Sequence, residues 1–392
     1  MKILLATASS GSRGGGELYF HALAKSLVDH GHEVTVAMSI HSSMDELSNI
    51  LSRFCNVERI DILNTYRRTT RVIGATLDTR RQRRFADFVD RAGPDVLHIN
   101  KQNLEDGIDL LLAVRQADVP SVATVHVTRS MSRLKARFAS LRDSFTRSQL
   151  RRARVPLLAT SNSCFADLQS FFNDAQAPRL YNVPNGAFAS EGSRDVIREE
   201  WGIGPDEVVF GTVARIEPQK NPLFVCRLIE ELPPYARFIW IGDGSMRRAL
   251  EIEVARAGIQ DRFLIEGWRD DARFRLSGLD VFVLPSLYEG FPFAVLEAMS
   301  AGIPCVVANT DGTRDAFASD QEGFLCPVND EAIWQQRLQE LCDDEFLRQS
   351  VGENAKSRYQ KTFSLAAMAQ RTLAVYKELI ENPQKSPPPG RS

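Results

Sequence analysis

The feature that most constrains the fold is a regular alternation of short apolar runs with longer helix-like stretches along the 392 residues. Each run is nearly continuous in Val, Ile, Leu and Ala, which is typical of strands buried on both faces of a parallel sheet by flanking helices. The sequence therefore predicts an α/β fold with two doubly wound, Rossmann-like domains. The predicted strands are 2–7, 33–38, 95–99, 121–125 and 157–160 in the first half, and 208–214, 237–241, 262–266, 280–284 and 304–308 in the second.

The domain boundary is predicted at the turn-forming segment Pro184-Asn185-Gly186, because Pro, Asn and Gly favour turns over regular structure. Doubly wound sheets bind ligands at the carboxyl ends of their strands, so we expect both domains to contribute site residues across a cleft. The predicted organisation is a first domain over 1–188, a second over 189–363, a last helix over 364–381 and a Pro-rich, disordered tail over 382–392.

The cysteines and the apolar segments indicate in which cellular compartment the protein works. Six cysteines are scattered without Cys-x-x-Cys pairs, and several lie in apolar runs, so we expect reduced core thiols and a cytoplasmic protein. The opening segment 1–7 breaks into Ser and Gly too early for a signal peptide. No window supplies the about 20 apolar residues that a membrane helix needs. The sequence thus favours a protein that is soluble or peripheral to the membrane.

The net charge of −2 conceals an asymmetry between the two halves. Residues 1–188 carry 25 Lys and Arg against 18 Asp and Glu, whereas the rest of the chain carries 23 against 32. Much of the positive excess lies in two arginine-rich runs, at 67–84 and 129–154. A solvated helix face, or a surface for anionic lipid at the inner face of the membrane or for a phosphate-bearing acceptor, would explain them. No signature of nucleic-acid binding accompanies the arginines, so we do not predict nucleic acid as a partner.

An acid inside an apolar helix of the second half requires an explanation. The predicted strand 280–284 leads into a helix that begins near Pro292, and Glu297 lies in that helix. Burying an ionised carboxylate without a partner costs several kcal/mol, so Glu297 needs a ligand, a cation or an exposed face. Glu289 lies eight positions earlier, on the loop where such a sheet binds ligands and where the helix start attracts anions.

This Glu-x7-Glu pattern, with the surrounding Gly290-Phe291-Pro292 and the segment 297–304, resembles the retaining glycosyltransferases of family 4, which have the GT-B fold. The resemblance implies that Glu297 binds the ribose hydroxyls of a nucleotide and that Glu289 lies against the donor sugar. It places Gly290 and Phe291 in the same donor site. A carboxylate suits sugars because it accepts charge-assisted hydrogen bonds from two neighbouring hydroxyls.

Two cations follow another predicted strand, 208–214: Arg215 comes directly after it, and Lys220 is predicted to open the next helix. On spacing alone, they are either surface cations or a diphosphate site. The resemblance implies that both neutralise the donor diphosphate and stabilise the departing nucleoside diphosphate, a role that other glycosyltransferases give to a metal. No Asp-x-Asp motif stands at a comparable strand end, so we predict neither a metal nor another cofactor.

Two glycine turns follow strands, at 14–16 and at 242–244. Both lack the third glycine of the dinucleotide fingerprint, which disfavours an NAD-dependent oxidoreductase. The resemblance implies instead that Gly242 lies near the nucleotide and that Gly15 and Gly16 approach the donor diphosphate.

A histidine of the first domain completes the predicted site. His126 follows the predicted strand 121–125, and the resemblance implies that it lies near the reacting carbon, where it positions and polarises the donor. We assign Glu17 and Asn100 to the acceptor side. His98 is predicted to pack inside the domain or to support another site residue.

The resemblance, together with these residues, implies a retaining, metal-independent hexosyltransferase that moves a sugar from a nucleotide-sugar donor, a UDP-sugar, to a hydroxyl of a glycan or lipid-linked acceptor in polysaccharide or glycoconjugate synthesis. The resemblance implies that the leaving diphosphate oxygen takes the acceptor proton. A sugar-nucleotide epimerase or hydrolase of the same fold, and a catalytically silent binding protein, are the alternatives. The segment 309–315 departs from the Gly-Gly-x-x-Glu of relatives, which leaves the donor sugar open.

Overall fold

The computed structural model describes residues 1–9, 11, 14–63, 68, 71–117, 119–173 and 176–382. The chain divides into two compact units: the first unit comprises Met1–Gly186 and the chain from Leu365 onward, and the second unit is Ala187–Ser364. The first boundary lies directly after the Pro-Asn-Gly segment, where the backbone leaves the sheet. Residues 383–392 of the predicted disordered tail lie outside the described residues, as does Arg67 of the first arginine-rich run.

The described residues of the first unit form one parallel sheet with helices between its strands. The strands are β1 (Lys2–Thr7), β2 (Glu33–Ser39), β3 (Asn56–Ile60), β4 (Val96–Asn103), β5 (Ser121–Val127), β6 (Leu157–Ala159) and β7 (Leu180–Asn182). The helices are α1 (Gly15–Asp29), α2 (Asp45–Leu51), α3 (Arg71–Leu77), α4 (Thr79–Ala92), α5 (Ile108–Val114), α6 (Ala139–Ala153), α7 (Asn162–Phe172) and, at the end of the chain, α15 (Leu365–Glu381).

The strand order of this sheet is β3-β2-β1-β4-β5-β6-β7, and every pairing is parallel. The order runs outward in both directions from β1, so the connecting helices cover both faces. Strand β4 extends to Asn103, four residues past its predicted end. This extension is polar, and it brings Asn100 and Gln102 to the carboxyl edge of the sheet.

The second unit repeats the architecture. Its strands are β8 (Val208–Val213), β9 (Ala236–Ile241), β10 (Phe263–Gly267), β11 (Val281–Leu284), β12 (Cys305–Ala308) and β13 (Phe324–Cys326). Its helices are α8 (Arg194–Glu200), α9 (Pro222–Glu230), α10 (Arg247–Arg256), α11 (Ala272–Arg275), α12 (Phe293–Ala301), α13 (Glu331–Asp343) and α14 (Glu345–Arg358), with a π-helical turn at Tyr359–Phe363. The order β10-β9-β8-β11-β12-β13 is parallel throughout.

Two Rossmann-like parallel sheets confirm the predicted α/β class. The apolar runs form the buried cores, as with Leu4 and Ile99 in the first unit and Phe210 and Val283 in the second, all nearly inaccessible to solvent. All six cysteines are free, and five are buried. No helix within the described ranges combines the length and the apolar character that crossing a membrane requires.

Helix α15 packs within the first unit, against α1. The Ser26 hydroxyl on α1 donates a hydrogen bond to the carbonyl of Leu365 at 2.9 Å. Tyr376, in the middle of α15, is completely buried. The end of the chain thus contributes to the interior of the first unit.

Candidate functional site

In the second unit, the loops that follow two neighbouring strands carry the predicted donor-site residues. Strands β8 and β11 pair in parallel, so their carboxyl ends lie side by side. Lys220, after β8, donates from Nζ to Oε1 of Glu289, after β11, at 2.5 Å. Lys220 and Glu289 keep only 14% and 6% of their side chains exposed. The predicted diphosphate cation and the predicted sugar-facing acid are therefore partners in one ion pair.

Backbone and amide contacts hold these two loops together. Leu287 N–H donates to the Gln219 carbonyl at 2.8 Å, and the Gln219 side-chain amide donates to the Tyr288 carbonyl at 2.8 Å. Lys220 does not open a helix as predicted: it ends the short turn Pro218–Lys220, and α9 starts two residues later, after a left-handed Asn221 (φ +55°). The turn aims Lys220 across at the β11 loop.

Arg215 is exposed, and among the described residues its guanidinium makes no hydrogen bond or ion pair. The nearby acid Glu217 is occupied elsewhere, because its carboxylate accepts from the Ser245 N–H at 3.0 Å and from the Ser245 hydroxyl at 2.6 Å. These hydrogen bonds lower the pKa of Glu217. Arg215 thus offers all its donors to a ligand at the end of β8.

Glu297 lies on the first turns of α12, which begins at Phe293 with Pro292 as its N-cap. Within the described part of the chain, no donor hydrogen-bonds to the Glu297 carboxylate. Burial raises its pKa to about 7, and the positive charge of Arg273 opposes that rise. A half-buried carboxylate with open acceptor sites is suited to a ligand that brings hydroxyl donors.

Glycines allow close backbone approach at two points of this site. A Cβ on Gly242 (φ +145°) would lie 2.0 Å from the Ala214 carbonyl oxygen, so the glycine turn rests against the end of β8. A Cβ on Gly312 would lie 1.8 Å from the Gly290 carbonyl oxygen. The segment 309–315, which differs from the Gly-Gly-x-x-Glu pattern of relatives, therefore packs against the loop that carries Glu289. The Phe291 ring packs 5.5 Å from that of Phe363.

In the first unit, His126 lies near the carboxyl end of β5, beside the polar extension of β4. Its Nε2 is 2.6 Å from Oδ1 of Asn100, and Asn100 Nδ2 donates to the Gly16 carbonyl at 3.1 Å. The ring of Tyr19 meets the imidazole edge to face, with centroids 4.8 Å apart. Burial lowers the pKa of His126 to about 3, so the ring is neutral at physiological pH.

Glu17 and Asn100, which we assigned to the acceptor side, are both buried. Oε1 of Glu17 accepts a hydrogen bond from Gln102 Nε2 at 2.9 Å, and burial raises the pKa of Glu17. A Cβ on Gly16 would lie 2.5 Å from the Gln102 amide, so this glycine makes room for the pair. Helix α1 begins at Gly15, which places Gly15 and Gly16 in its first turn.

Gln102 was absent from our sequence prediction, although its polarity at the end of a buried strand is a usable signal. His98 packs inside the unit as predicted: its Nδ1 lies 2.6 Å from the Tyr376 hydroxyl. In the described ranges, no group of three or more His, Cys, Asp and Glu side chains is arranged to hold a metal ion.

Two doubly wound parallel sheets, with polar residues gathered at the carboxyl ends of their strands, define the GT-B class of protein. Comparison with protein families narrows the class: residues 13–187 match Glycosyltransferase Family 4, and residues 193–358 match Glycosyl transferases group 1. The chain thus has the GT-B fold, and each of its two halves is similar to a family of glycosyltransferases.

Curated relatives of this class share part of the chain. It is 32% identical over 211 residues to the UDP-Gal:alpha-D-GlcNAc-diphosphoundecaprenol alpha-1,3-galactosyltransferase of Escherichia coli, covering 51% of this chain and 54% of that protein. It is 26% identical over 286 residues to the alpha-D-kanosaminyltransferase of Streptomyces kanamyceticus, covering 68% and 73%. The chain spans about half the length of several curated relatives that it matches.

Solved structures share the fold over nearly the whole chain. The Anabaena protein HepE, solved in complex with UDP, has a TM-score of 0.78 at 19% identity, covering 97% of this chain and 100% of that chain. A glycosyltransferase from Rickettsia africae has a TM-score of 0.78 at 15% identity, covering 97% and 99%.

Proposed function

We propose that this protein is a retaining glycosyltransferase that moves a sugar from a UDP-sugar to a hydroxyl of a glycan or a lipid-linked acceptor. The observation that carries the proposal is the group of residues beside β8 and β11: the exposed cation Arg215, the pair Lys220–Glu289, and the acid Glu297, whose carboxylate accepts no hydrogen bond from the described residues. Cations and carboxylates that converge on one sheet edge suit a ligand with both phosphates and sugar hydroxyls.

The names of similar proteins support the nucleotide and the acceptor. The Escherichia coli relative is named for transfer from UDP-Gal to a GlcNAc carried on diphosphoundecaprenol, and the HepE structure holds UDP. By this proposal, Glu297 accepts hydrogen bonds from the ribose hydroxyls, and Arg215 binds the diphosphate. Lys220 exchanges part of its contact with Glu289 for a phosphate oxygen, which lets Glu289 turn to the donor sugar.

The two cations give the proposal a metal-independent way to stabilise the leaving diphosphate, since preorganised positive charge lowers the energy of a developing anion. The leaving oxygen takes the acceptor proton, so no protein base is required. The neutral His126 positions the donor sugar as a hydrogen-bonding partner. Transfer that persists undiminished in EDTA is expected, and a requirement for added Mg²⁺ or Mn²⁺ would contradict this part.

The donor site can be tested by titrating the full chain with UDP in a calorimeter. Glu297→Ala and Arg215→Ala should each weaken binding at least about tenfold, which is roughly 1.4 kcal/mol. Arg256→Ala serves as the control, because Arg256 is an exposed cation of the same unit in the last turn of α10, at the far end of that helix from the β9 loop. Unchanged affinity in the two site variants would overturn the donor assignment.

Transfer itself requires a panel of UDP-sugars with glycan and lipid-diphosphate acceptors, with the product's anomeric configuration read by NMR. An axial donor linkage that stays axial in the product supports retention. Consumption of the donor without any acceptor would favour an epimerase or hydrolase. Binding of UDP with no turnover of any donor would favour a silent binding protein.

We also propose that the first unit docks peripherally on the inner face of an anionic membrane. Its second arginine-rich run presents apolar side chains among the basic ones: Phe138 is 65% exposed and Leu141 is 74% exposed. Lys135 and Arg137 flank them and are also exposed. A surface that combines exposed aromatic and aliphatic groups with positive charge suits an anionic bilayer.

A further inference from the structure

The imidazole of His126 is held from two sides by side chains of the first unit. On one side stands Asn100, with its Oδ1 at 2.6 Å from Nε2. On the other side stands the ring of Tyr19. Both supports are almost completely buried, with exposed fractions of 1% for Asn100 and 0% for Tyr19.

The contacts of Asn100 determine which nitrogen of His126 carries the proton. One end of the Asn100 amide lies 3.1 Å from the Gly16 carbonyl oxygen, which can only accept, so that end must be the NH2 group. The other end is therefore the oxygen, and Nε2 of His126 must donate to it. In the neutral ring, Nδ1 then has an open lone pair, and no hydrogen bond to Nδ1 occurs among the described residues.

The second support continues through the core to the end of the chain. The Tyr19 hydroxyl lies 3.0 Å from Thr124 Oγ1, which lies 2.7 Å from Nε2 of His98. His98 Nδ1 lies 2.6 Å from the Tyr376 hydroxyl on α15. Helix α1, strands β5 and β4 and the last helix are thus joined by one line of hydrogen bonds that ends at the Tyr19 ring beside His126.

A core that served packing alone would not need these groups. Buried polar side chains cost free energy unless every partner is in place, whereas fully satisfied networks fix one arrangement of the groups they join. Each oxygen and nitrogen of this line has its partner. Besides Asn100, the neutral Tyr19 ring packs against the imidazole and the neutral His98 lies near it, and the Cys164 thiol donates to the His126 backbone carbonyl at 3.8 Å.

We propose that Asn100 and the line Tyr19–Thr124–His98–Tyr376 are positioning residues that hold His126 as the Nε2–H tautomer, with Nδ1 presented as an open acceptor. Asn100 determines which nitrogen of His126 carries the proton. The line of hydrogen-bonded side chains fixes the Tyr19 ring, and the edge contact with that ring fixes the plane of the imidazole. The effect on turnover rests on the proposed sugar transfer, whereas the tautomer does not, so the two can fail separately.

The tautomer can be read in the full chain, labelled with ¹⁵N, by long-range ¹H–¹⁵N correlation of its histidine rings, with His126→Gln to assign the signal. We expect a single neutral Nε2–H form from pH 5 to pH 8. In Asn100→Leu, the His126 ring should be a mixture of both neutral tautomers. In Asn100→Asp, the pKa of His126 should rise, because a carboxylate stabilises the imidazolium. An Nδ1–H ring in the unmodified protein, or an unchanged ring in Asn100→Leu, would overturn the proposal.

Tyr376→Phe tests the far end of the line, because it removes one oxygen and keeps the ring. We expect shifted His126 ring signals and a fall in kcat of about threefold to tenfold, with KM changed less, as for a lost orienting contact. Tyr235→Phe is the matched control, since it removes an exposed hydroxyl that meets Asp343 in the second unit. His126 signals in Tyr376→Phe that match the unmodified protein would remove the hydroxyl line from the proposal. Unaltered signals with a lowered melting temperature would assign Tyr376 a structural role only.

Discussion

Lys220 and Glu289, 69 residues apart in the sequence, form an ion pair of 2.5 Å between two loops that follow neighbouring parallel strands. Because the two side chains bind each other, each occupies part of the other's capacity to bind a ligand. A diphosphate that binds Lys220 must compete with Glu289. The pair therefore holds Lys220 in a defined position, and Glu289 neutralises part of the positive charge that a diphosphate would bind.

This competition predicts opposite effects of the two single variants on UDP binding. Lys220→Met should weaken UDP binding at least about tenfold, because it removes a phosphate contact. Glu289→Gln should leave UDP binding unchanged or tighter, because Lys220 loses its competing partner, while sugar transfer falls sharply. Calorimetry with UDP and a transfer assay on the same preparations check both. Equal losses of UDP affinity in the two variants would contradict the competition.

The raised pKa of Glu297 predicts a contribution of this residue to the pH dependence of stability. Because its pKa in the folded protein is about 7, above the ordinary 4.5, the folded state binds the extra proton between those values. Its contribution to stability is therefore present below pH 4.5 and lost as the pH rises through 7. Glu297→Gln removes that loss. The melting temperature of the variant minus that of the unmodified protein should therefore increase from pH 5 to pH 8.

The same ionisation acts on the ligand. If ribose hydroxyls donate to the ionised carboxylate, UDP affinity should increase from pH 6 to pH 8, and Glu297→Gln should show only the dependence that UDP itself contributes. Calorimetry at several pH values measures the difference between the two proteins. Parallel curves would show that the ionisation of Glu297 does not affect UDP binding.

Most of the strands that the sequence predicted are buried on both faces, because their apolar runs are continuous, whereas the predicted β10 is a partly exposed edge strand. The strands it missed are β3, whose Asn56-Val57-Glu58-Arg59-Ile60 holds only two apolar residues at a sheet edge, and the three-residue edge strand β13. Edge strands face solvent and neighbour only one strand, so they need neither a long nor a fully apolar run. Pattern reading therefore identifies the centre of a sheet more reliably than its margins.

The positions of the candidate site residues beside strand ends were predictable, and their contacts with one another were not. Glu289 and Lys220 each follow a predicted strand, but their pairing depends on β8 and β11 being neighbours, which is a property of the strand order. The contact of His126 with Asn100 depends in the same way on the register of β4 against β5. Tyr376 could not be found from the sequence, because its place beneath the sheet depends on where the last helix packs.

The close approach of Gly312 to Gly290 predicts an asymmetric pair of substitutions. Gly312→Ala would put a methyl group 1.8 Å from the Gly290 carbonyl oxygen, so the Glu289 loop must move. Overpacking of this kind costs about 1–3 kcal/mol, and we expect weaker UDP binding as well. Gly290→Ala meets no atom within 4 Å and should leave the free energy of unfolding within about 0.5 kcal/mol. Urea unfolding of the two variants makes the comparison, and equal stability would show that the two loops do not touch in solution.

Membrane docking by the first unit predicts binding to vesicles that depends on both charge and salt. We expect the full chain to co-sediment with phosphatidylglycerol vesicles and not with phosphatidylcholine vesicles. Added salt should release it, because the screening length of electrostatic interactions falls to about 8 Å near 0.15 M. Arg137→Glu should weaken binding several-fold, because one basic residue near an anionic surface contributes about 1 kcal/mol. Phe138→Ser should weaken the part of binding that survives salt, since its exposed ring is the apolar contact.

Arg248→Glu, an exposed charge reversal of equal size in the second unit, is the control. Indifference to vesicle charge, or an equal effect of Arg248→Glu, would show that the arginine-rich run is an ordinary solvated surface.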